Sequence, residues 1–166
     1  LHLASAGHRF DIVRELLAAG ADANSAANHR LGAPLHYAAD TCPDSATFSA
    51  ANQIKTLSVL IGAGAKMNAA DKNGATALHR AVRTRGAEAV KFLLKSGAHP
   101  LLENISGSTP FHLAVQNTGR GGSGSQAARR AQREIIEMFM ALDVDAALKR
   151  SVIERAQSPW IQGLLR

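Results

Sequence analysis

Seven histidines are the residues of this chain best suited to metal binding or acid–base catalysis. Four of them recur in one kind of dipeptide, namely Leu1-His2, Leu35-His36, Leu78-His79 and Phe111-His112. Successive copies are 34, 43 and 33 residues apart. Metal ligands must converge within about 2 Å of one ion, whereas residues recurring at such a period lie one structural unit apart. The spacing favours a structural role, and His8, His29 and His99 are expected in solvated loops.

No other set of residues supports catalysis or cofactor binding. Cys42, the single cysteine, has no histidine near it in the sequence and excludes a disulfide framework. The glycine-rich stretch at 119–124 lacks the Gly-Lys-Ser/Thr ending and the preceding strand of a phosphate-binding loop. There is also no Gly-x-Ser-x-Gly nucleophile motif. We therefore expect a protein that is not an enzyme and that holds no metal and no cofactor.

Composition indicates a compact helical protein rather than a disordered or membrane-spanning one. The chain has 166 residues, of which 46% are hydrophobic and only 4% aromatic, and a formal net charge of +6. Small residues must fill much of the core, which suits closely packed helices better than strands. No apolar run approaches the roughly 20 residues of a membrane span. The single cysteine and the lack of a visible signal peptide favour an intracellular location.

A second phrase recurs in phase with the dipeptides. It reads Gly-Ala-Asp-Ala-Asn at 20–24, Gly-Ala-Lys-Met-Asn at 64–68 and Gly-Ala-His-Pro-Leu at 97–101. Each copy starts 19 residues after its dipeptide, except in the second unit, where the interval is 29. Two independent phrases that keep phase identify a repeat protein.

The best-preserved unit reads Asp-Lys-Asn-Gly-Ala-Thr-Ala-Leu-His at 71–79, and related phrases lie at 32–39 and 107–114. These residues resemble the ankyrin repeat family over about residues 1–145. The resemblance implies an all-α solenoid of stacked helix-turn-helix units with finger-like turns, truncated at its N-terminus. Because the chain opens inside a unit, we expect further repeats upstream. One domain, 1–166, is expected, with units at about 1–28, 29–70, 71–103 and 104–145 and a C-terminal helical cap at 146–166.

Local signals place several helix ends. Thr109-Pro110 is typical of an N-cap followed by proline in the first turn. Ser151 and Ser158-Pro159 are expected to start helices by the same logic, and Gly97 is expected to end one as a left-handed C-cap. In the tail, Val152, Ile153, Ala156, Trp160, Ile161, Leu164 and Leu165 have helical spacing. Trp160 is interpreted as an anchor of the cap, with an exposed partner contact as the alternative.

Two units are longer than the family pattern, and the excess follows Thr41 in one and Asn117 in the other. Both insertions fall between the two helices of a unit, so they should emerge from the edge opposite the fingers. Residues 126–133, rich in Ala, Arg and Gln, should extend the second helix backward by two turns. The insertions are either neutral surface loops or functional ones.

Family resemblance implies that partners bind the fingers and the concave face formed by the first helices. The matching positions are Arg30, Tyr37, Asp40, Lys72, Asn73, Arg80, Arg83, Thr84, Gln116 and Asn117. From Lys72 to Ala87 there are four basic residues and no acidic one. Because Arg80 and Arg83 share one helix face, we expect a central basic patch there, with a merely solvated face as the alternative.

These features lead to two hypotheses for function. The first is a non-enzymatic protein-interaction module whose rigid concave surface binds an acidic protein or peptide. The second is a targeting or substrate-recruiting segment of a larger enzyme or effector. Arg129, Arg130 and Arg133 form a possible secondary basic site. Nucleic-acid binding is disfavoured, since three arginines make a small electrostatic footprint and no aromatic residue is interleaved with them.

Overall fold

The computed structural model describes residues 1–42, 47–116, 125–156 and 158–165. Within these ranges all regular structure is helical, which confirms the predicted fold class. The described residues form ten helices: α1 (His2–Ala6), α2 (Phe10–Ala18), α3 (Pro34–Ala39), α4 (Ala50–Gly62), α5 (Ala77–Arg83), α6 (Ala87–Lys95), α7 (Pro110–Ala114), α8 (Gln126–Met140), α9 (Ala146–Arg155) and α10 (Pro159–Leu164).

The helices stack in two layers. Within each of the first four pairs the two helices contact each other, as in α3 with α4. The first helices form one row, α1, α3, α5, α7 and α9, and the second helices form the other, α2, α4, α6, α8 and α10. The C-terminal helices α9 and α10 therefore occupy the places of a fifth pair. A helix pair cannot bury its apolar face alone, so stability comes from these neighbour contacts.

Several helix ends follow the sequence signals. Thr109 is the N-cap of α7, and Pro110 occupies its first turn. Gly97 follows the end of α6 with a left-handed φ of 94°, as predicted. Ser158 precedes Pro159 at the start of α10. The Thr109 hydroxyl accepts a hydrogen bond from a backbone N–H that the first turn of a helix leaves unpaired, and proline in the first turn has no N–H to leave unpaired.

The prediction that Ser151 starts a helix is wrong. Helix α9 begins at Ala146, where the carboxylate of Asp145 accepts a hydrogen bond from the backbone N–H of Leu148 over 2.6 Å. Ser151 lies within this helix, and its Oγ is 3.0 Å from Nε2 of His112. The serine was expected to cap its own helix, but its hydroxyl instead ties α9 to α7.

The recurring histidines join one helix pair to the next, as the family resemblance implies. In α5, Nδ1 of His79 accepts a hydrogen bond from Thr76 N–H at 3.1 Å, and Nε2 lies 3.0 Å from the carbonyl oxygen of Ser108. His36 repeats this arrangement with the carbonyl of Ala75. The Nδ1 acceptor fixes the tautomer that donates through Nε2. The histidines therefore act as inter-repeat connectors.

Acidification from about pH 7.5 to about pH 5 is expected to lower the free energy of unfolding. Burial lowers the pKa of His8, His36, His79 and His112 below the ordinary histidine value. Between the folded and the unfolded pKa the unfolded chain binds more protons. Stability is therefore lost as the pH falls through the unfolded value, about 6.5, towards the folded values. Urea unfolding followed by circular dichroism at the two pH values checks this. An equal or higher midpoint at the lower pH would contradict it.

The two long units share a glutamine that supports the end of the first helix. Nε2 of Gln53 in α4 donates to the carbonyl of Ala38, and Nε2 of Gln132 in α8 donates to that of Ala114, over 3.0 and 2.7 Å. Each glutamine is buried. Helix α8 has 15 residues against nine in α6, which confirms the predicted backward extension. Residues 43–46 and 117–124 of these regions lie outside the described residues.

The carbonyls of Ala38 and Ala114 each contact a second side chain, which comes from the preceding helix pair. In both cases this side chain belongs to a residue just after the first helix of that pair. His8, with a left-handed φ of 51°, lies with Nε2 3.1 Å from the carbonyl oxygen of Ala38. Arg85, with a φ of 60°, donates from Nη1 to the carbonyl of Ala114 over 3.1 Å. His8 is buried rather than solvated, so its predicted loop position in solvent is wrong.

The core runs through all the pairs and into the tail. Leu35, Leu78 and Phe111, which precede the recurring histidines, are at most 1% exposed. In the tail the residues that face inward include Val152, Ala156, Ile161 and Leu165. Ile153, which belongs to the same helically spaced set, is 39% exposed. Trp160 is half-buried against the core.

Candidate partner-binding surface

Each finger is folded by one Asn or Asp side chain at its base. Oδ1 of Asp71 accepts hydrogen bonds from the backbone N–H groups of Asn73 (2.8 Å) and Ala75 (3.1 Å). Asn28 and Asn104 do the same in the fingers before α3 and α7. Such side-chain acceptors replace backbone partners in a turn. The finger tips are therefore held in place before any partner binds.

Neighbouring fingers are joined by their backbones. The N–H of Lys72 donates to the carbonyl of Arg30 over 2.9 Å, and the N–H of Ile105 donates to that of Asn73 over 3.0 Å. All four of these side chains are exposed. The fingers thus form one continuous edge with basic, polar and apolar groups.

Leu31 is an exposed finger residue with an unusual backbone. Its φ is 52°, in the left-handed region where the fingers before α5 and α7 have Gly74 and Gly107, and its side chain is 56% exposed. A non-glycine residue in that conformation costs about 1–2 kcal/mol. The sequence analysis did not single out Leu31. The signal that could have identified it is that this position is a leucine, whereas the equivalent positions of the next two fingers are glycines.

Arg80 is not the exposed basic residue that the sequence predicts. It is only 4% exposed, and its Nη2 lies 3.1 Å from Oδ2 of Asp40 in the preceding helix pair. The ring of Tyr37 lies 5.0 Å from its guanidinium carbon. Because its charge is already compensated by an ion pair, Arg80 joins α5 to the end of α3 and adds little to the surface potential.

Two more residues of the expected patch are buried. Oγ1 of Thr84 accepts a hydrogen bond from Thr41 N–H and donates to the carbonyl of Arg80, both over 3.0 Å. Arg85 is 7% exposed and also donates to the carbonyl of Gln116. Burial lowers the pKa of Arg85 to about 10, so it stays charged at neutral pH. Both side chains link one pair to the next.

Of the basic residues predicted to contact partners, Arg30, Lys72 and Arg83 are exposed, the first two on neighbouring fingers and the third at the C-terminal end of α5. We call these three residues the finger-face patch. None of them forms an ion pair within the described part of the chain. Of the other predicted site residues, Tyr37, Asp40 and Gln116 are partly exposed, and Asn117 lies outside the described residues.

The comparison with protein families decides what this architecture is. A family model described as ankyrin repeats in three copies matches residues 46–150, and a single ankyrin repeat matches residues 1–28. The chain belongs to the ankyrin repeat family. Ankyrin repeats are protein–protein interaction modules. This confirms the part of the first hypothesis that describes an interaction module.

Curated relatives share the ankyrin repeats over a small part of their own length. The tyrosine-protein kinase Shark of Drosophila melanogaster is 38% identical over 117 residues, 70% of this chain and 11% of that protein. The neurogenic locus Notch protein of the same species is 41% identical over 68 residues, 40% of this chain and 2% of that protein. The human transient receptor potential cation channel subfamily A member 1 is 50% identical over 46 residues, 28% and 4% of the two chains.

The described residues contain neither a cluster of metal ligands nor a helix that could span a membrane. Across residues 1–42, 47–116, 125–156 and 158–165, no group of three or more His, Cys, Asp and Glu side chains could hold a metal ion. In those ranges no helix combines the length and hydropathy needed to cross a bilayer. Cys42 is exposed and unpaired with another cysteine.

The secondary basic site lies at the C-terminal end of the ankyrin repeat stack. Arg129, Arg130 and Arg133 are exposed on α8, and with Gln126 they line a groove whose further wall is Trp160 of α10. The sequence showed no aromatic residue near these arginines because Trp160 is 27 residues beyond Arg133. The fold brings the two features together.

Proposed function

We propose that residues 1–166 act as one protein-interaction domain that binds an acidic protein or peptide on the finger face. The observation that carries this proposal is the finger-face patch: Arg30, Lys72 and Arg83 are exposed, basic and without an ion pair among the described residues. Arginine pairs with carboxylates through its fork of donors. The exposed Asn73 and the partly exposed Tyr37, Asp40 and Gln116 are further polar contacts in the proposal.

Apolar groups beside the basic ones support a protein partner over a simple anion. Leu31 and Ile105 are 56% and 76% exposed on the fingers. Burying such side chains against a partner yields about 25 cal/mol for each Å² of apolar area. The hydrogen-bonded fingers are preorganised, so little conformational entropy is lost on binding. The proposed partner therefore presents carboxylates together with apolar side chains.

Affinity capture with charge-reversed variants tests the proposal. The variant Lys72→Glu plus Arg83→Glu reverses two exposed charges of the patch, and Lys91→Glu plus Lys95→Glu makes the same change on exposed positions of α6. Proteins retained by the wild type and by the α6 variant, but lost from the patch variant, are the expected result. A set of captured proteins that is the same for all three baits would overturn the proposal.

Leu31→Gly is expected to separate stability from binding. The change removes the left-handed strain of Leu31, so the free energy of unfolding should stay level or rise by up to about 1 kcal/mol. It also removes the exposed side chain, so affinity for the captured partner should fall by about tenfold. Urea unfolding and calorimetric titration measure the two effects. Unchanged affinity would show that Leu31 does not contact the partner.

The second candidate, a recruiting segment of a larger enzyme, is supported by the kinase relative, of which this chain covers 11%. In that proposal the catalytic part lies outside the chain. Deleting residues 1–166 from the whole protein should then leave activity on a generic small substrate but abolish activity on the physiological protein substrate. Equal loss of both activities would contradict recruitment.

A further inference from the structure

The groove at the end of the stack combines four residues of one helix face with one aromatic side chain. Gln126, Arg129, Arg130 and Arg133 are spaced i, i+3, i+4 and i+7 along α8, so they face the same way. Trp160 of α10 faces them across a groove of about 530 Å³. Helices α8 and α10 pack against each other. The groove is therefore set by the fold rather than by side chains of one segment.

The side chains that line this groove suit a ligand that carries both a negative charge and an apolar group. The three guanidinium groups and the indole N–H can only donate hydrogen bonds, and only the Gln126 amide can also accept one. Neither ion pair found in the described residues involves these arginines, and no carboxylate lines the groove there. Trp160, half-buried against the core, offers the apolar wall.

We propose that this Arg–Trp groove is a second binding site, which takes an extended acidic peptide segment of a partner protein. Arg129 and Arg133 are four residues apart, or about 6 Å along the helix axis. In an extended peptide, side chains two residues apart share a face and lie about 6.6 Å apart. Two carboxylates at that spacing can pair with the two arginines. An apolar side chain further along the peptide is then available to pack on Trp160.

A peptide fits this lining better than a nucleic acid does. The three arginines span little more than one helical turn, so they neutralise few phosphates, and affinity for nucleic acid rises with the number of phosphates contacted. Single-stranded nucleic acids also use several aromatic side chains in succession, whereas Trp160 is the single aromatic residue that lines the groove among the described residues. The experiment below therefore includes a single-stranded oligonucleotide, whose tighter binding would indicate a nucleic-acid site instead.

Trp160 is the only tryptophan of the chain, so its fluorescence reports on the groove directly. The probe is the blocked peptide Glu-Ser-Glu-Ser-Leu, and its control is Gln-Ser-Gln-Ser-Leu, which has the same shape without charge. The glutamate peptide should change Trp160 emission and saturate below about 1 mM, and the glutamine peptide should bind at least about tenfold more weakly. No saturable change with the glutamate peptide would overturn the proposal.

Matched variants localise the binding. Arg129→Gln plus Arg133→Gln should weaken the glutamate peptide by about tenfold. Lys91→Gln plus Lys95→Gln, the same loss of charge on α6, should leave it unchanged. Equal weakening by both would mean general attraction to a basic protein and would overturn the proposal. So would displacement by an equal concentration of inorganic phosphate, or tighter binding of a single-stranded oligouridylate. Lys72→Glu plus Arg83→Glu should not affect the groove, so the two proposed sites stand or fall separately.

Discussion

Arg80→Glu is expected to lower the free energy of unfolding by about 3–5 kcal/mol. The new carboxylate would replace a guanidinium that is 4% exposed and would face the carboxylate of Asp40, which now lies 3.1 Å from Nη2 of Arg80. Removing Arg80 leaves the partly exposed Asp40 without its counter-charge, and the new carboxylate is itself buried and repelled by Asp40. The contact with the ring of Tyr37 is lost as well. Urea unfolding at neutral pH measures the effect.

Arg83→Glu is the matched control for this prediction. It lies three residues further along α5 and is exposed, so its reversal should cost no more than about 1 kcal/mol, chiefly through the helix dipole. Equal losses for the two variants would contradict the structural role of Arg80. If Arg80→Glu is the more destabilising variant, a loss of binding on reversing Arg80 would reflect unfolding as well as a lost partner contact. The variant that tests the finger-face patch therefore leaves Arg80 unchanged.

Leu78→Ala is expected to lower the free energy of unfolding by about 2–5 kcal/mol. Leu78 is 1% exposed and belongs to the continuous core that joins the helix pairs, together with Leu35 and Phe111. In a stacked array each pair is supported by its neighbours, so a cavity in α5 weakens contacts to both α3 and α7. Thermal or urea unfolding measures the loss.

Ile105→Ala provides the control of similar chemistry. Ile105 is 76% exposed on a finger, and its truncation should change stability by no more than about 0.5 kcal/mol. If Ile105→Ala were as destabilising as Leu78→Ala, the finger would be part of the packed core rather than a surface available to partners.

Features that repeat along the chain were predictable from the sequence. The phrases around Leu35-His36 and Leu78-His79 led to the family, and the family implied the histidine contacts that the structure places at Ala75 and Ser108. Gly97 and Thr109 mark helix ends because their local chemistry is enough to end or start a helix. Each of these signals depends on neighbours within a few residues or on the period itself.

Features that depend on contacts between distant residues were not predictable in this way. Arg80 is a plausible surface arginine on its own helix, and its contacts with Tyr37 and with Asp40, forty residues earlier, place it in a buried position. Arg85 reaches the carbonyl of Ala114 in the next pair. Trp160 meets the arginines of α8 only because α10 packs on that helix. In all three, position along the chain is a poor guide to the side chain's surroundings.

Hydrogen–deuterium exchange of the domain with its captured partner tests most directly where partners bind. Binding on the finger face predicts slower exchange in the fingers at 28–32, 71–75 and 104–108 and at the C-terminal end of α5. The second helices α2, α4 and α6 should be unchanged. Slower exchange confined to α2, α4 and α6, with unaltered fingers, would contradict the proposed binding surface.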